Sequence, residues 1–338
     1  VARRRRITGV LAVAIGVSTL MLTGAGPAGA APPTGAPVPL IVDTDLFSDA
    51  DDAGALAVAH ALQDQGDVRL LAVMVNSRSR WGAPAVDAIN TWYGHGDVPV
   101  GAHKPVDDSV AAHDYAQPLA REFPNDLKDG ARAPEAVGLY RRLLAAQPDH
   151  GVVIAAIGAE TNLANLLDSP ADAVSSLTGR QLVARKVGRL VLMGGRYPQG
   201  RESNFLMDPS AAVRAVNDWP TPVIFSGFEI GVEIQTGSTL AQTPTTNPVR
   251  RAYEIYAGAG VDRASWDQTA VHVAAKGTAG LFELSGAGRN TVAPDGANTW
   301  TAAPDGTQRY LVAAAPASTV ADRLQALMVQ APRAASPA

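Results

Sequence analysis

The sequence predicts an α/β fold: a single Rossmann-like domain with a mainly parallel sheet flanked by helices, plus a small C-terminal hairpin and helix. Three observations predict it. Short runs of β-branched and aliphatic residues alternate with helical stretches along most of the chain, the pattern of βαβ units covered on both faces. Acidic residues follow the first apolar run directly, where such sheets place their ligand sites. No internal repeat or linker divides the 338 residues, so the body of the chain reads as one domain.

Taken in order, residues 39–42 form a buried strand that ends in Asp43-Thr44-Asp45, and residues 53–62 form an alanine-rich helical pattern. Further strands are expected at 70–75, 98–101, 152–157, 190–193 and 222–225, with helices at 84–93, 134–146, 161–167 and 209–217. Residues 290–302 and 307–314 flank Pro304-Asp305-Gly306, a turn signal for a hairpin. A last helix is expected at 318–329. The domain is assigned to 39–330, between a flexible Pro/Gly-rich leader at 31–38 and a disordered Ala/Pro tail at 331–338.

The first thirty residues read as a secretory signal peptide. Arg3 to Arg6 form a basic start, residues 7–23 an apolar stretch, and Ala28-Gly29-Ala30 a small-residue cleavage site. A permanent anchor is the competing reading, since the stretch approaches the length of a span; its Gly, Ser and Thr content and its end favour removal. The expectation is a secreted, extracytoplasmic protein with no stable membrane anchor once the signal is removed. The paired arginines are compatible with twin-arginine export without establishing it.

The chain has 32 acidic and 28 basic side chains, a formal charge of −4, which becomes −8 once the four signal arginines are removed. That balance argues against a nucleic-acid partner. With no cysteine, disulfides, zinc–thiolate sites, iron–sulfur clusters and thiol nucleophiles are excluded. A metal here must use oxygen or imidazole ligands.

The sharpest feature is the loop Asp43-Thr44-Asp45-Leu46-Phe47-Ser48-Asp49-Ala50-Asp51-Asp52, with five carboxylates in ten residues. Clustered carboxylates repel one another unless a proton or a cation relieves them, and Ca2+ or Mg2+ prefers oxygen ligands, Ca2+ tolerating the more irregular set. The competing reading is a solvated turn in which Asp51 or Asp52 caps the helix. The spacing is not that of an EF-hand.

The Asp-Thr-Asp … Asp-x-Asp-Asp-Ala pattern after a first strand resembles the nucleoside hydrolase family of inosine–uridine-preferring type, in a branch with two extra residues in this loop. Further signals occur in the family's order: Asn76 ending the second strand, Gly158-Ala159-Glu160-Thr161-Asn162, Met193-Gly194-Gly195 followed by Glu202-Ser203-Asn204 and Asp208-Pro209, and Ser265-Trp266-Asp267. They span residues 38–271. Each is weak alone; five in order are strong.

The resemblance implies an enzyme that cleaves the N-glycosidic bond of a ribonucleoside with one Ca2+ at the bottom of the cleft. It implies Asp45, Asp52, the backbone carbonyl of Thr161 and Asp267 as metal ligands, and Asp45 as general base. It further implies that Asp51, Asn76, Glu202 and Asn204 bind ribose hydroxyls, that Asp43 and Asp49 orient the ligands, and that the protein forms a homo-oligomer. Outside the resemblance, Asn76, Thr161 and Asp267 read as ordinary cap or helix-start residues, and Glu202 and Asn204 as a polar loop.

The chain also departs from the family. Trp266 stands where several members carry a histidine held to protonate the leaving base, and an indole N–H is only a hydrogen-bond donor. Trp266 either stacks on the base or packs in the core. His113 is the best remaining acid candidate, and His60 and His272 read as structural. Leu46-Phe47-Ser48 replaces the glycine-containing sequence usual in the loop. Two other functions compete: a haloacid-dehalogenase-like phosphatase, disfavoured because Leu46-Phe47 follows the second aspartate, and a sugar- or nucleoside-binding protein that keeps the metal without turnover.

Overall fold

The structure is a computed structural model, and it describes residues 1–2, 35–47, 49–108 and 114–333. The signal-peptide reading falls, apart from Val1 and Ala2, outside these residues, as do Ser48, His113, the first half of the leader and the last five residues of the tail.

In chain order the elements are β1 (Val38–Thr44), α1 (Asp51–Asp64), β2 (Val68–Val75), α2 (Gly82–Trp92), β3 (Val100–Ala102), α3 (Ala116–Glu122), α4 (Ala136–Ala145), β4 (Val152–Ala156), α5 (Thr161–Asp168), α6 (Gly179–Lys186) and β5 (Val187–Met193). There follow β6 (Gln199–Arg201), α7 (Ser203–Met207), α8 (Pro209–Asp218), β7 (Val223–Ser226), α9 (Phe228–Gly231), β8 (Gln235–Thr236), α10 (Pro248–Tyr256), β9 (Arg263–Ala264) and α11 (Trp266–Lys276). The chain closes with β10 (Phe282–Leu284), β11 (Gly288–Val292), β12 (Ala297–Ala302), β13 (Gln308–Ala313) and α12 (Ala317–Met328).

The central sheet runs β3-β2-β1-β4-β5-β7-β13-β11-β12-β6. From β3 to β13 every pairing is parallel; β11, β12 and β6 continue it antiparallel. Apolar residues on the two faces form separate buried clusters, one including α1 and α11, the other α5 and α8. This two-sided cover is why strands such as Val152–Ala156 are apolar at every position rather than at alternate ones. Strand order reverses between β1 and β4, and a crevice beyond the carboxyl ends at such a switch is where α/β sheets bind ligands.

Helix α1 is buried along nearly its whole length, from Asp51 to Leu62, which accounts for its alanine content: small side chains let α11 and α12 approach it. Asp51 and Asp52 lie inside its first turn, after Ala50. There the helix dipole favours their charge, and neither serves as its cap.

A C-terminal hairpin is present, but both its strands fall largely within the stretch expected to be one: β11 and β12 pair from Gly288↔Ala302 to Val292↔Asn298. Its turn is Pro294-Asp295-Gly296, with Gly296 at φ 79°, a left-handed conformation that suits glycine. Pro304-Asp305-Gly306 also turns the chain, but the strand after it, β13, leaves β12 and pairs in parallel with β7. At the C-terminus, the Arg333 backbone N–H donates to Asp64 at 2.9 Å.

Candidate active site

A cleft of about 280 Å³ opens at the carboxyl ends of the strands, close to the lower end of the size range of small-molecule sites. Asp45 enters it from β1, Asp51 and Asp52 from the start of α1, Glu202 and Asn204 from the start of α7, and Trp266 and Asp267 from the start of α11. Asp51, Asp52 and Asp267 each offer a carboxylate oxygen within 4.8 Å of the others. They are only 3%, 2% and 5% exposed. Burial pushes all three carboxyls well above the usual carboxylate range, and the neighbouring acids push them further. Asp45 is pushed up to about 7, first by burial and then by the charges of Asp49, Glu202 and Asp43.

Local bonds fix this cluster. The Thr44 hydroxyl donates to Asp52. Asp51 Oδ2 accepts from the backbone N–H groups of Trp266 at 3.2 Å and Asp267 at 3.3 Å, so a residue of α1 satisfies the open N-terminus of α11. Behind Asp45, Asp43 is buried and receives Asn76 Nδ2 at 2.7 Å, the Tyr140 hydroxyl at 2.8 Å and Asn162 Nδ2 at 3.3 Å. Burial outweighs these donors and raises Asp43 to about 7.

On the opposite wall Glu202 caps α7, accepting from the N–H groups of Asn204 at 2.9 Å and Gly195 at 3.1 Å. Burial raises its carboxyl despite these bonds. The Asn204 amide donates to the Met193 carbonyl at 3.1 Å, and both Glu202 and Asn204 line the cleft. Asn76 and Thr161 are not among the lining residues. Asn76 spends its amide on Asp43 and keeps a buried Oδ1 without a partner, while the Thr161 hydroxyl donates to Asp208 at 2.8 Å.

Trp266 forms an aromatic wall with Phe228, ring centroids 5.2 Å apart, and its Nε1 donates to the Phe228 carbonyl at 2.7 Å. The site also contains a residue that sequence reasoning missed. Arg263 lines the cleft, lies over Tyr256 at 4.9 Å and Trp266 at 4.8 Å, and pairs with Asp49. Nothing in its local sequence separates Arg263 from the other arginines; only the position three residues before Trp266 hinted at it. Among the described residues no histidine lines the cleft. His60 is buried, bonded to Asn90 at 2.8 Å and stacked on Tyr93 and His95, the structural role expected of it.

The chain belongs to the inosine-uridine preferring nucleoside hydrolase family, whose profile matches residues 40–284. It is a hydrolase that acts on the N-glycosyl bonds of nucleosides, small molecules of the size this cleft admits. No sequence among the curated proteins matches it. Among solved structures it is similar to an inosine-guanosine nucleoside hydrolase at 19% identity, with a TM-score of 0.64, over 86% of this chain and 98% of that one. A plant nucleoside hydrolase matches at 18% identity, TM-score 0.63, over 88% and 100%. An inosine-uridine preferring nucleoside hydrolase from Bacillus anthracis matches at 16%, TM-score 0.63, over 86% and 98%. At these identities the likeness is one of fold.

Members of this family bind a divalent metal ion, and the donors present here fit one. Three buried carboxylates converge within 4.8 Å, an oxygen-only set that suits a hard cation. The charge carried by burying them together favours one as well.

Proposed function

We propose that this nucleoside hydrolase is an exported, Ca2+-dependent enzyme that cleaves ribonucleosides to free base and ribose. The observation that carries the reading is the convergence of Asp51, Asp52 and Asp267 at the floor of a cleft that also holds Asp45. Asp52 and Asp267 of that cluster, with Asp45 and the Thr161 carbonyl, are the residues assigned to hold the ion, and Asp51 stands beside them towards the sugar. When bound, it supplies a water of lowered pKa and a hold on the sugar diol.

The remaining steps belong to the chain's own side chains. Asp45 takes the proton of the attacking water. It lines the cleft beside Asp52 and Asp267, where it can accept that proton. Asp51 accepts a ribose hydroxyl, and Glu202 and Asn204 hold the other hydroxyls, so that binding energy away from C1′ orients the sugar. Carboxylates on both walls stabilise the positive charge that develops on the ribosyl ring in an oxocarbenium-like transition state. Trp266, with Phe228 beside it, forms the wall against which the base stacks.

Export rests on the arginine-led apolar segment before Ala31 and predicts a mature chain that starts there. Assembly into a homo-oligomer is proposed from the family alone. The deciding experiment is reducing-sugar release from purine and pyrimidine nucleosides by the secreted form, with and without a Ca2+ chelator. Turnover lost on chelation, restored by Ca2+ and abolished by Asp45→Asn is the expected result. Nucleoside binding without release of base would overturn the catalytic reading, and chelator-resistant turnover would overturn the Ca2+ reading.

A further inference from the structure

When the C1′–N bond breaks, its electron pair passes to the base, which leaves as an anion unless a donor meets it. Trp266 lines the cleft, but its indole N–H is already committed to the Phe228 carbonyl at 2.7 Å. The cleft otherwise presents six carboxylates, Asp45, Asp49, Asp51, Asp52, Glu202 and Asp267, all of which oppose negative charge on a departing base. Among the described lining residues the only cation is Arg263.

We infer that Arg263 meets the departing base and stabilises the charge on it by hydrogen bonding, without giving up its proton. The guanidinium is held for this role. Its Nε donates to Asp49 Oδ1 at 3.0 Å, its Nη2 donates to the other Asp49 oxygen, and the rings of Tyr256 and Trp266 flank it. That pairing uses the Nε–Nη2 edge, and Nη1 donates to no described residue. Nη1 therefore has two N–H groups for an oxygen or ring nitrogen of the base. Arg263 and Trp266 line the same cleft, the guanidinium 4.8 Å from the indole centroid, so a base that enters the cleft at Trp266 comes within reach of Arg263. Asp49, within the longer acidic loop, is its positioning residue.

The step balances without a proton from Arg263. The water oxygen forms a bond to C1′, Asp45 takes one proton of that water, and the C1′–N bond breaks with its pair going to the base. Arg263 keeps its proton and hydrogen-bonds the anion until solvent protonates it, and Asp45 returns its proton to solvent. The sum is nucleoside plus water giving ribose plus base.

The inference rests on the ribonucleoside reading, and one substrate comparison separates the two. Wild type, Arg263→Met and Arg263→Lys are assayed on inosine, uridine and 4-nitrophenyl β-D-ribofuranoside, whose leaving group is stable as an anion without help. The expected result for Arg263→Met is a loss of about a hundredfold or more in kcat on the better nucleoside. The nitrophenyl riboside should lose less than about fivefold, since sugar binding and water activation are intact. Arg263→Lys, which keeps the cation and its packing, should fall between, and added guanidinium ion should restore part of the nucleoside activity of Arg263→Met. Equal losses on both substrate types in both variants would show that Arg263 only shapes the cleft and would overturn the inference alone. Failure of wild type to cleave any of the three would overturn the ribosyl hydrolase reading, and this inference with it.

Discussion

Gly158 packs against Asp45 so closely that a Cβ on the glycine would lie 2.6 Å from both the backbone N and Oδ1 of Asp45. The neighbour is partly backbone, so it has little freedom to give way. Gly158→Ala should therefore displace the Asp45 carboxylate while leaving the strands on either side paired. A misplacement of about 1 Å at a reacting group costs on the order of a hundredfold in rate. We expect kcat to fall by that order while the thermal midpoint moves by a few degrees at most. An alanine variant with wild-type kcat would show that the position of Asp45 is not critical.

Tyr140 reaches Asp43 from α4 on the far side of the sheet, 97 positions away in sequence, with a hydroxyl–carboxylate distance of 2.8 Å. Tyr140→Phe leaves one buried carboxylate oxygen without its donor, a loss of about 1–3 kcal/mol. Urea unfolding should show a lower midpoint with an unchanged slope. If the midpoint does not move, this hydroxyl is not what satisfies Asp43.

The Asp43–Asp52 loop was legible in the sequence because an unbroken apolar run ends abruptly in acids, and periodicity alone placed β1 and α1 around it. What Asn76 does was not legible. The sequence put it at a strand end, but its bond to Asp43 depends on β2 pairing in parallel beside β1, a non-local register that no local pattern gives. Arg263 was hidden for the same reason, since its partners Asp49 and Tyr256 come from different parts of the chain. The hairpin shows the limit at the level of strands. Two Pro-Asp-Gly turns lie ten residues apart, and the choice between them was made by β7, which recruits β13 as a parallel neighbour. A non-local pairing of that kind leaves no local signal.

His60 makes stability depend on pH in a direction that can be worked out. Burial pushes its imidazole down from 6.5 to about 4, so the folded protein holds it neutral while the unfolded chain protonates it near pH 6.5. Between those values the unfolded state binds the extra proton. Its contribution is therefore fully present above pH 6.5 and is lost as pH falls towards 4, by roughly 3 kcal/mol. His272 is lowered to about 4 by the same cause and adds in the same sense. In His60→Gln the slope of unfolding free energy against pH across this window should flatten by about 1.4 kcal/mol per pH unit. An unchanged slope would mean that His60 already carries its proton when folded.

Gly231 backs Trp266 as Gly158 backs Asp45: a Cβ there would lie 2.5 Å from the Trp266 Cα. Gly231→Ala must push the start of α11 and the indole outward, towards the cleft that Trp266 lines. Asp267 is the next residue and is tied, like Trp266, to Asp51 through its backbone N–H, so some loss of kcat is expected on every substrate. The base-binding wall, however, should suffer more than the sugar subsite, because Glu202 and Asn204 stand on α7 and are untouched. We expect KM for a purine nucleoside to rise about tenfold, the effect of roughly 1.4 kcal/mol of lost binding, with a smaller change in the inhibition constant of free ribose. Equal weakening of ribose and nucleoside would place the damage at Asp267 and would argue against Trp266 as a wall for the base.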